Sequence, residues 1–373
     1  MPRNDTSEDD MTNAERRQFL SRAATGSLAL ASSPLAFGQK RQTDRIKIGL
    51  IGTKHSHARG KLATLQKMSD AFEVVGVVEP DDEWWQREAA KAEYQSVRRL
   101  SEEQLLETAG LQAVVIETEV DQLLPTAQRC ADAQLHIHLE KPAGESLQAF
   151  RKVLDTASRH GRIVQMGYMF RYNPAFQFAF QAARDGWLGN LFELHGVISK
   201  TVDQPARREL SRYAGGSMFE LGCHLIDALH VVMGKPGQVT AYLRKTRDDG
   251  LNDNCLAVFE YPKATATIRS AVIEVDGFRR RQFVLCGDGG TIDIRPLEPR
   301  RGEANVVLTL ARPQRDYPAG RHELSFPSRG GRYDGDFADL ARLIRTGDES
   351  EFGGPHDFAV QESVLRASGR PLE

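Results

Sequence analysis

The sequence predicts an α/β fold in two parts: a parallel sheet with crossover helices, then a domain built on antiparallel strands. Three observations carry this. Short apolar runs alternate with helical patterns over residues 46–139, a rhythm that gives right-handed β–α–β crossovers. Short strand-like runs separated by tight turns follow over residues 239–286, the pattern of an antiparallel meander. The length of 373 residues, 40% hydrophobic and 27% charged, suits about two domains with cores of their own.

Composition narrows the function classes. The 49 basic and 51 acidic residues nearly cancel, and no block of like charges offers the basic patch that a nucleic acid requires. No stretch approaches the ~20 apolar residues of a membrane span. The cysteines Cys130, Cys223, Cys255 and Cys286 lie far apart without a CxxC, so neither a zinc ribbon nor a disulfide framework is expected.

Residues 1–38 read as an address. Arg16-Arg17 precedes Phe19-Leu20, residues 23–39 carry no charge, and Ala36-Phe37-Gly38 supplies small residues at the end. That is the layout of a secretory signal, against the alternative of a disordered basic tail. The paired arginines resemble a twin-arginine export signal, which implies a periplasmic or secreted protein. The acidic run Ser7-Glu8-Asp9-Asp10 is unusual before such a signal and points to Met11 as the start. This route carries folded proteins, and so suits one that must acquire a cofactor first.

From residue 44 the first domain begins. Residues 46–51 form a buried strand ending at Gly52, with a helix through Met68; residues 72–78 form a second strand ending in Glu79-Pro80-Asp81. Residues 113–116, a helix near 122–133 and residues 135–139 complete the alternation. Glu79 stands where a dinucleotide fold places the carboxylate that takes the ribose hydroxyls. It would repel a 2′-phosphate, which favours NAD over NADP. The glycine fingerprint is degenerate: GxGxxG set on Gly52 puts Lys54 and His57 at the other two glycines. Backbone amides at the helix start still suit a pyrophosphate. His55 and His57 invite a metal reading. Two ligands do not complete a site, so one histidine lining the cofactor and one facing solvent is preferred.

Three motifs follow. Glu140-Lys141-Pro142 closes the fifth strand, at the edge of a parallel sheet where ligands bind. The run Gln165–Pro174, QMGYMFRYNP, falls where the first domain ends, at about residue 166. Residues 215–227, GGSMFELGCHLID, open a helix reaching Met233. Helical spacing puts Glu220, His224 and Asp227 on one face, amid apolar neighbours that make a solvated face a poor account of them.

In this order and spacing the motifs resemble the glucose–fructose oxidoreductase / inositol dehydrogenase / MocA (Gfo/Idh/MocA) family over residues 44 to 370. The resemblance implies a Rossmann domain over 44–166 and, over 167–373, an α+β domain with a large, mostly antiparallel sheet for substrate and homo-oligomer formation. It implies an NAD-dependent oxidoreductase acting on a hydroxyl of a sugar or polyol, with Lys141 beside nicotinamide and substrate. His224 matches the acid–base histidine, Glu220 the position of its usual aspartate partner, and Asp227 an orienting aspartate. Gly52, Thr53, His55 and Ser56 match the phosphate and nicotinamide loop, Glu79 the ribose position, and Thr118 and Glu140 cofactor-facing positions. Tyr168 and Arg171 match cleft-lining, substrate-binding positions. The acidic Glu117 and Glu119 depart from the family pattern.

The leading reading is hydride transfer from a sugar, cyclitol or polyol, with Lys141 and His224 on the proton path and Glu220 and Asp227 tuning them. An exported enzyme meets no nicotinamide pool, so NAD is expected to stay bound. Rival readings are glycoside cleavage through transient oxidation, a non-catalytic sugar-binding protein, and a metal on Glu220, His224, Asp227 and His230. No metal is assigned, because ligands on one helix need further partners. Residues 298–320, rich in Arg, Pro and Gly, are expected to hold loops.

Overall fold

The computed structural model describes residues 45–299, 305–326, 330–370 and 372. The segment read as an export signal, 1–38, lies outside them. No helix among the described residues is long and apolar enough to cross a membrane.

The first sheet has six strands: β1 Ile46–Ile51, β2 Phe72–Val78, β3 Arg99–Leu100, β4 Ala113–Ile116, β5 His136–Leu139 and β6 Val164–Met166. All pair in parallel, in the order β3-β2-β1-β4-β5-β6. Both faces carry helices, which is why β4 and β5 are buried at every residue. The order reverses between β1 and β4, opening a crevice at their C-terminal ends where such sheets take ligands.

The second sheet has eight strands, in the order β14-β13-β12-β11-β7-β10-β9-β8. They are β7 Leu191–Ser199, β8 Gln238–Arg244, β9 Asn254–Tyr261, β10 Ala264–Ala271, β11 Gln282–Gly287, β12 Gly290–Ile294, β13 Val306–Leu310 and β14 Gly320–Leu324. Every pairing is antiparallel except β7 with β10. The expected loops of 298–320 therefore give way to β13 and the start of β14. Val306, Leu308 and Leu310 point inward on β13, and this alternation was hidden among flanking Arg, Pro and Gly.

The core falls into two clusters. One gathers Ile48, Leu50, Leu62 and Leu65 with Phe337, Leu340 and Ala341 of the Asp334–Thr346 helix. That helix returns to the first sheet, and truncating fully buried Phe337 would cost about 3–5 kcal/mol. The larger cluster runs from the other face of the first sheet to the second. Three of the four cysteines are buried and all are free.

Candidate active site

At the end of β1, Gly52 has φ +87°, and a Cβ there would lie 2.7 Å from Thr118 N and 2.8 Å from the Glu117 carbonyl. Only glycine lets the ends of β1 and β4 approach so closely. Thr53 donates from N (3.0 Å) and Oγ1 (2.7 Å) to Glu79 Oε2, and Asp81 N donates to Oε1 at 3.0 Å. Glu79 is thus engaged within its own loop, holding the turn in shape rather than presenting both oxygens freely to a ribose. Lys54, at the second fingerprint position, bridges Asp81 at 2.9 Å and Glu119 at 3.8 Å. Ser56 is exposed. A cleft of about 510 Å³ is lined by Gly52, Lys54, Glu79, Arg99 and Thr118. Thr118 Oγ1 is buried there without a partner among the described residues. A glycine cradle, a crevice at the switch point and an unpartnered hydroxyl together fit a dinucleotide.

Next to the cleft lies a buried network of charges. Lys61 bonds Glu117 Oε1 at 2.6 Å and Glu140 Oε2 on its other side. His57 Nδ1 meets Glu140 Oε1 at 3.1 Å, and His55 Nδ1 lies 3.4 Å from Glu117 Oε2. Lys141 Nζ lies 2.6 Å from Glu220 Oε1 and 3.7 Å from Glu140 Oε1. Neither histidine of the HxH pair points to solvent, contrary to expectation: their side chains are 16% and 17% exposed and turn toward the same carboxylates. His55, His57 and Glu140 have metal-ligand spacing, yet Glu140 already faces both lysines. The acidic departure at Glu117 is answered by Lys61, and Glu119 by Lys54 and Arg212.

These contacts set the protonation states. Burial opposes a charge on Lys141, but Glu220, with Cys223 and Glu140 behind it, holds the ammonium above the ordinary lysine value. Burial likewise opposes ionisation of Glu220 and Glu140; Lys141 on the first and Lys61 on the second keep both below the carboxylate range. Burial drives His57 down to about 4.

The helix read from 218 to 233 begins instead as a π turn, Met218–Gly222, followed by an α-helix, Cys223–Met233. The polar residues are drawn to separate partners. Glu220 takes Lys141, not His224. His224 is wedged against Tyr168 and Phe170, ring centroids 6.1 and 6.0 Å away, and its Nδ1 is buried without a partner among the described residues. Burial, with Lys141 and Arg332 adding to it, pushes His224 well below the ordinary imidazole value, so the ring is uncharged. Asp227 binds Arg171 in a fork, 2.7 to 3.2 Å, and His356 Nε2 at 2.9 Å. Burial opposes its charge, but Arg171 and His356 hold it at about 2. Arg171, fully buried, also binds Asp357; Nε and Nη2 are taken by these carboxylates, while Nη1 is buried without a partner among the described residues. His230 bonds Ser363 at 2.8 Å. The four-residue metal set on this helix is therefore not assembled.

Four participants escaped the sequence reading. Lys61 sits between Ala58, Leu62 and Leu65 on the buried face of its helix; a lysine inside an apolar stripe was the available signal. His356 and Asp357 come from the closing helix, with no local motif. Lys200, just beyond β7, is half-buried and carries no ion pair among the described residues. Burial, with Lys141 and Arg281 nearby, lowers it despite Glu220.

Residues 46–168 match the NAD-binding Rossmann domain of the GFO/IDH/MocA oxidoreductase family, and residues 176–293 match that family's C-terminal domain. The chain belongs to the Gfo/Idh/MocA oxidoreductases. Among relatives of this Gfo/Idh/MocA protein, D-xylose 1-dehydrogenase (NADP(+)) 2 of Haloferax volcanii is 29% identical over 180 residues. That match covers 46% of this chain and about half, 53%, of the relative. Inositol 2-dehydrogenase 2 of Saccharopolyspora erythraea is 27% identical over 264 residues, 67% of this chain and 72% of that one. The crystal structure of aldose-aldose oxidoreductase from Caulobacter crescentus, complexed with glycerol, superposes with a TM-score of 0.72. It is 20% identical and covers 87% of this chain and 98% of that one; at such identity the likeness shows the fold. The Gfo/Idh/MocA chain is thus an oxidoreductase with a nicotinamide-dinucleotide-binding domain.

Proposed function

We propose that this enzyme oxidises a hydroxyl of a sugar or polyol with NAD that it keeps bound. The observation that carries the reading is the buried Lys141–Glu220 pair, set beside uncharged His224 and next to the glycine cradle. When bound, a nicotinamide dinucleotide supplies the hydride acceptor. Gly52 and Thr118 would hold it at the crevice. Lys141, kept cationic, donates to the substrate oxygen and stabilises the negative charge that grows there. Glu220 Oε1, in contact with Nζ, receives the hydroxyl proton through the ammonium. His224, uncharged and with its Nδ1 unpartnered among the described residues, accepts a hydrogen bond at that nitrogen and orients the substrate.

NAD is preferred over NADP because Glu79, Asp81 and Asp82 surround the end of β2, and Arg99 is already committed to Asp82 and the Glu79 carbonyl. The twin-arginine segment supports export with the cofactor in place. Mass spectrometry of small molecules released on denaturation tests the proposal. NAD is expected at near one per chain. Nucleotide-free protein whose melting temperature does not move on adding NAD or NADP would end it.

A further inference from the structure

We infer that His55 and Glu117 form a proton store behind the Lys141–Glu220 pair, filled when the cofactor is reduced and emptied when it is reoxidised. The inference rests on the proposed redox function and extends it to the fate of the proton. Oxidising a CH–OH group sends a hydride to the dinucleotide and frees one proton from oxygen. An enzyme that keeps its cofactor must later return one proton to a second substrate, and a store beside the site spares exchange with solvent.

The geometry supplies a route. Glu220 Oε1 touches Lys141 at 2.6 Å and lies 4.0 Å from His55 Nε2, a gap that one bridging water spans. With the proton of the uncharged ring on Nδ1, toward Glu117, Nε2 is the open acceptor that faces Glu220. The opposite nitrogen lies 3.4 Å from Glu117 Oε2, a buried carboxylate oxygen that no other hydrogen-bond donor reaches among the described residues. Imidazole passes a proton by taking it at one nitrogen and releasing it from the other. The route therefore runs from the reacting hydroxyl, through Lys141 and Glu220, to an oxygen with room for one proton.

The charges around the pair favour filling. From the helix after β1, Lys61 faces Glu117 and Glu140. From the end of β5 come Glu140 and Lys141, and from the π turn Glu220. Tyr333 lies against His57 and Lys61, Tyr94 and Asp336 feel the charges of Glu117 and Lys61, and His57, lowered by burial, packs edge-on against His55 at 4.6 Å. Lys61 and Lys141 against Glu117, Glu140 and Glu220 leave one net negative charge while His55 is neutral, and Asp336 adds to it when ionised; one stored proton offsets it. Burial raises Glu117 above the carboxylate range against the pull of Lys61. His55 lies above the ordinary imidazole value because Glu140 and Glu117 outweigh its burial. An oxidised nicotinamide ring carries a positive charge and a reduced ring none. In a water-poor setting the change raises the proton affinity of the pair at the moment the proton appears.

The test needs no substrate. The full chain, stripped of nucleotide, is titrated calorimetrically near pH 7 with NAD and with NADH, in phosphate and in Tris, whose ionisation heats differ. The wild type is expected to take up about one more proton with NADH than with NAD. His55→Gln and Glu117→Gln should each bind both dinucleotides with that difference abolished. If Glu117→Gln does not fold, His55→Gln, at a partly exposed position, carries the test alone. A structural role would alter the two affinities together and leave the proton difference in place. Equal proton counts in the wild type overturn the store and leave the proposed function standing. Binding of neither dinucleotide overturns both.

Discussion

Replacing Lys141 with Met removes the ammonium and keeps the aliphatic stem. The Nζ–Oε1 separation is 2.6 Å, and the side chains are 1% and 19% exposed. At an effective dielectric constant near 20 the bare attraction is about 6 kcal/mol. Desolvation offsets much of it, and breaking such a pair costs about 3–5 kcal/mol because the partner is left uncompensated. Glu220 retains some contact with solvent, which places the expected loss of stability at the lower end, about 3 kcal/mol. If Lys141 also stabilises the reacting oxygen, kcat falls by about 10²–10⁴. A double variant separates the two effects. Lys141→Met with Glu220→Gln carries no unpaired charge, so urea unfolding should show most of the stability restored, while NADH formation from a polyol panel stays abolished. Recovery of turnover together with stability would refute the argument and reduce the pair to a strut.

Other consequences can be checked independently. Gly52→Ala forces a Cβ to 2.7 Å from Thr118 N at a positive φ; the strain alone is about 1–2 kcal/mol, so NADH fluorescence titration should show binding weakened at least ~10-fold. Arg171→Met leaves Asp227 and Asp357 buried without their guanidinium, and urea unfolding at neutral pH should register a loss of about 3–5 kcal/mol. Asp336 is buried, with Oδ1 unpartnered among the described residues, and burial raises it to about 7 against Lys61 and Arg171. Its contribution to stability is complete below its unfolded value near 4 and is lost as pH rises through 7. Asp336→Asn should therefore gain on the wild type between pH 5 and pH 8 by a few kcal/mol, and a difference that does not vary with pH would contradict the assignment.

Much of the fold was legible because its signals are local. The parallel sheet announced itself through apolar runs ending at Gly52 and Glu79, and the meander through turns such as Tyr261-Pro262-Lys263 between β9 and β10. β13 was missed because three inward side chains, Val306, Leu308 and Leu310, are a short signal beside a Gly- and Arg-rich stretch. The site was legible in its membership and not in its pairing. Lys141, Glu220, His224 and Asp227 were all singled out, yet ideal helical spacing joined the last three. The π turn at Met218–Gly222 breaks that spacing, and counterions from elsewhere decide the rest: Lys141 claims Glu220, Arg171 claims Asp227, and His224 is left among aromatic rings. No single-sequence periodicity encodes which charge finds which.

The same limit explains the most puzzling sequence feature, a carboxylate at position 117 on the edge of a dinucleotide site. Considered alone, Glu117 repels the phosphates such a site must hold and should be costly to bury. Its counterion is Lys61, 56 positions earlier in sequence and 2.6 Å away in space. Lys61 is itself tolerable in an apolar helix face only because Glu117 and Glu140 meet it there. Each residue makes sense through the other, and removing either strands a buried charge. Such a pair is an expensive way to achieve stability alone, since well-packed apolar residues of similar volume often do as well or better. Its position, with His55 between Glu117 and the Lys141–Glu220 pair, gives it a use that apolar residues cannot supply: holding a proton within reach of the reacting hydroxyl.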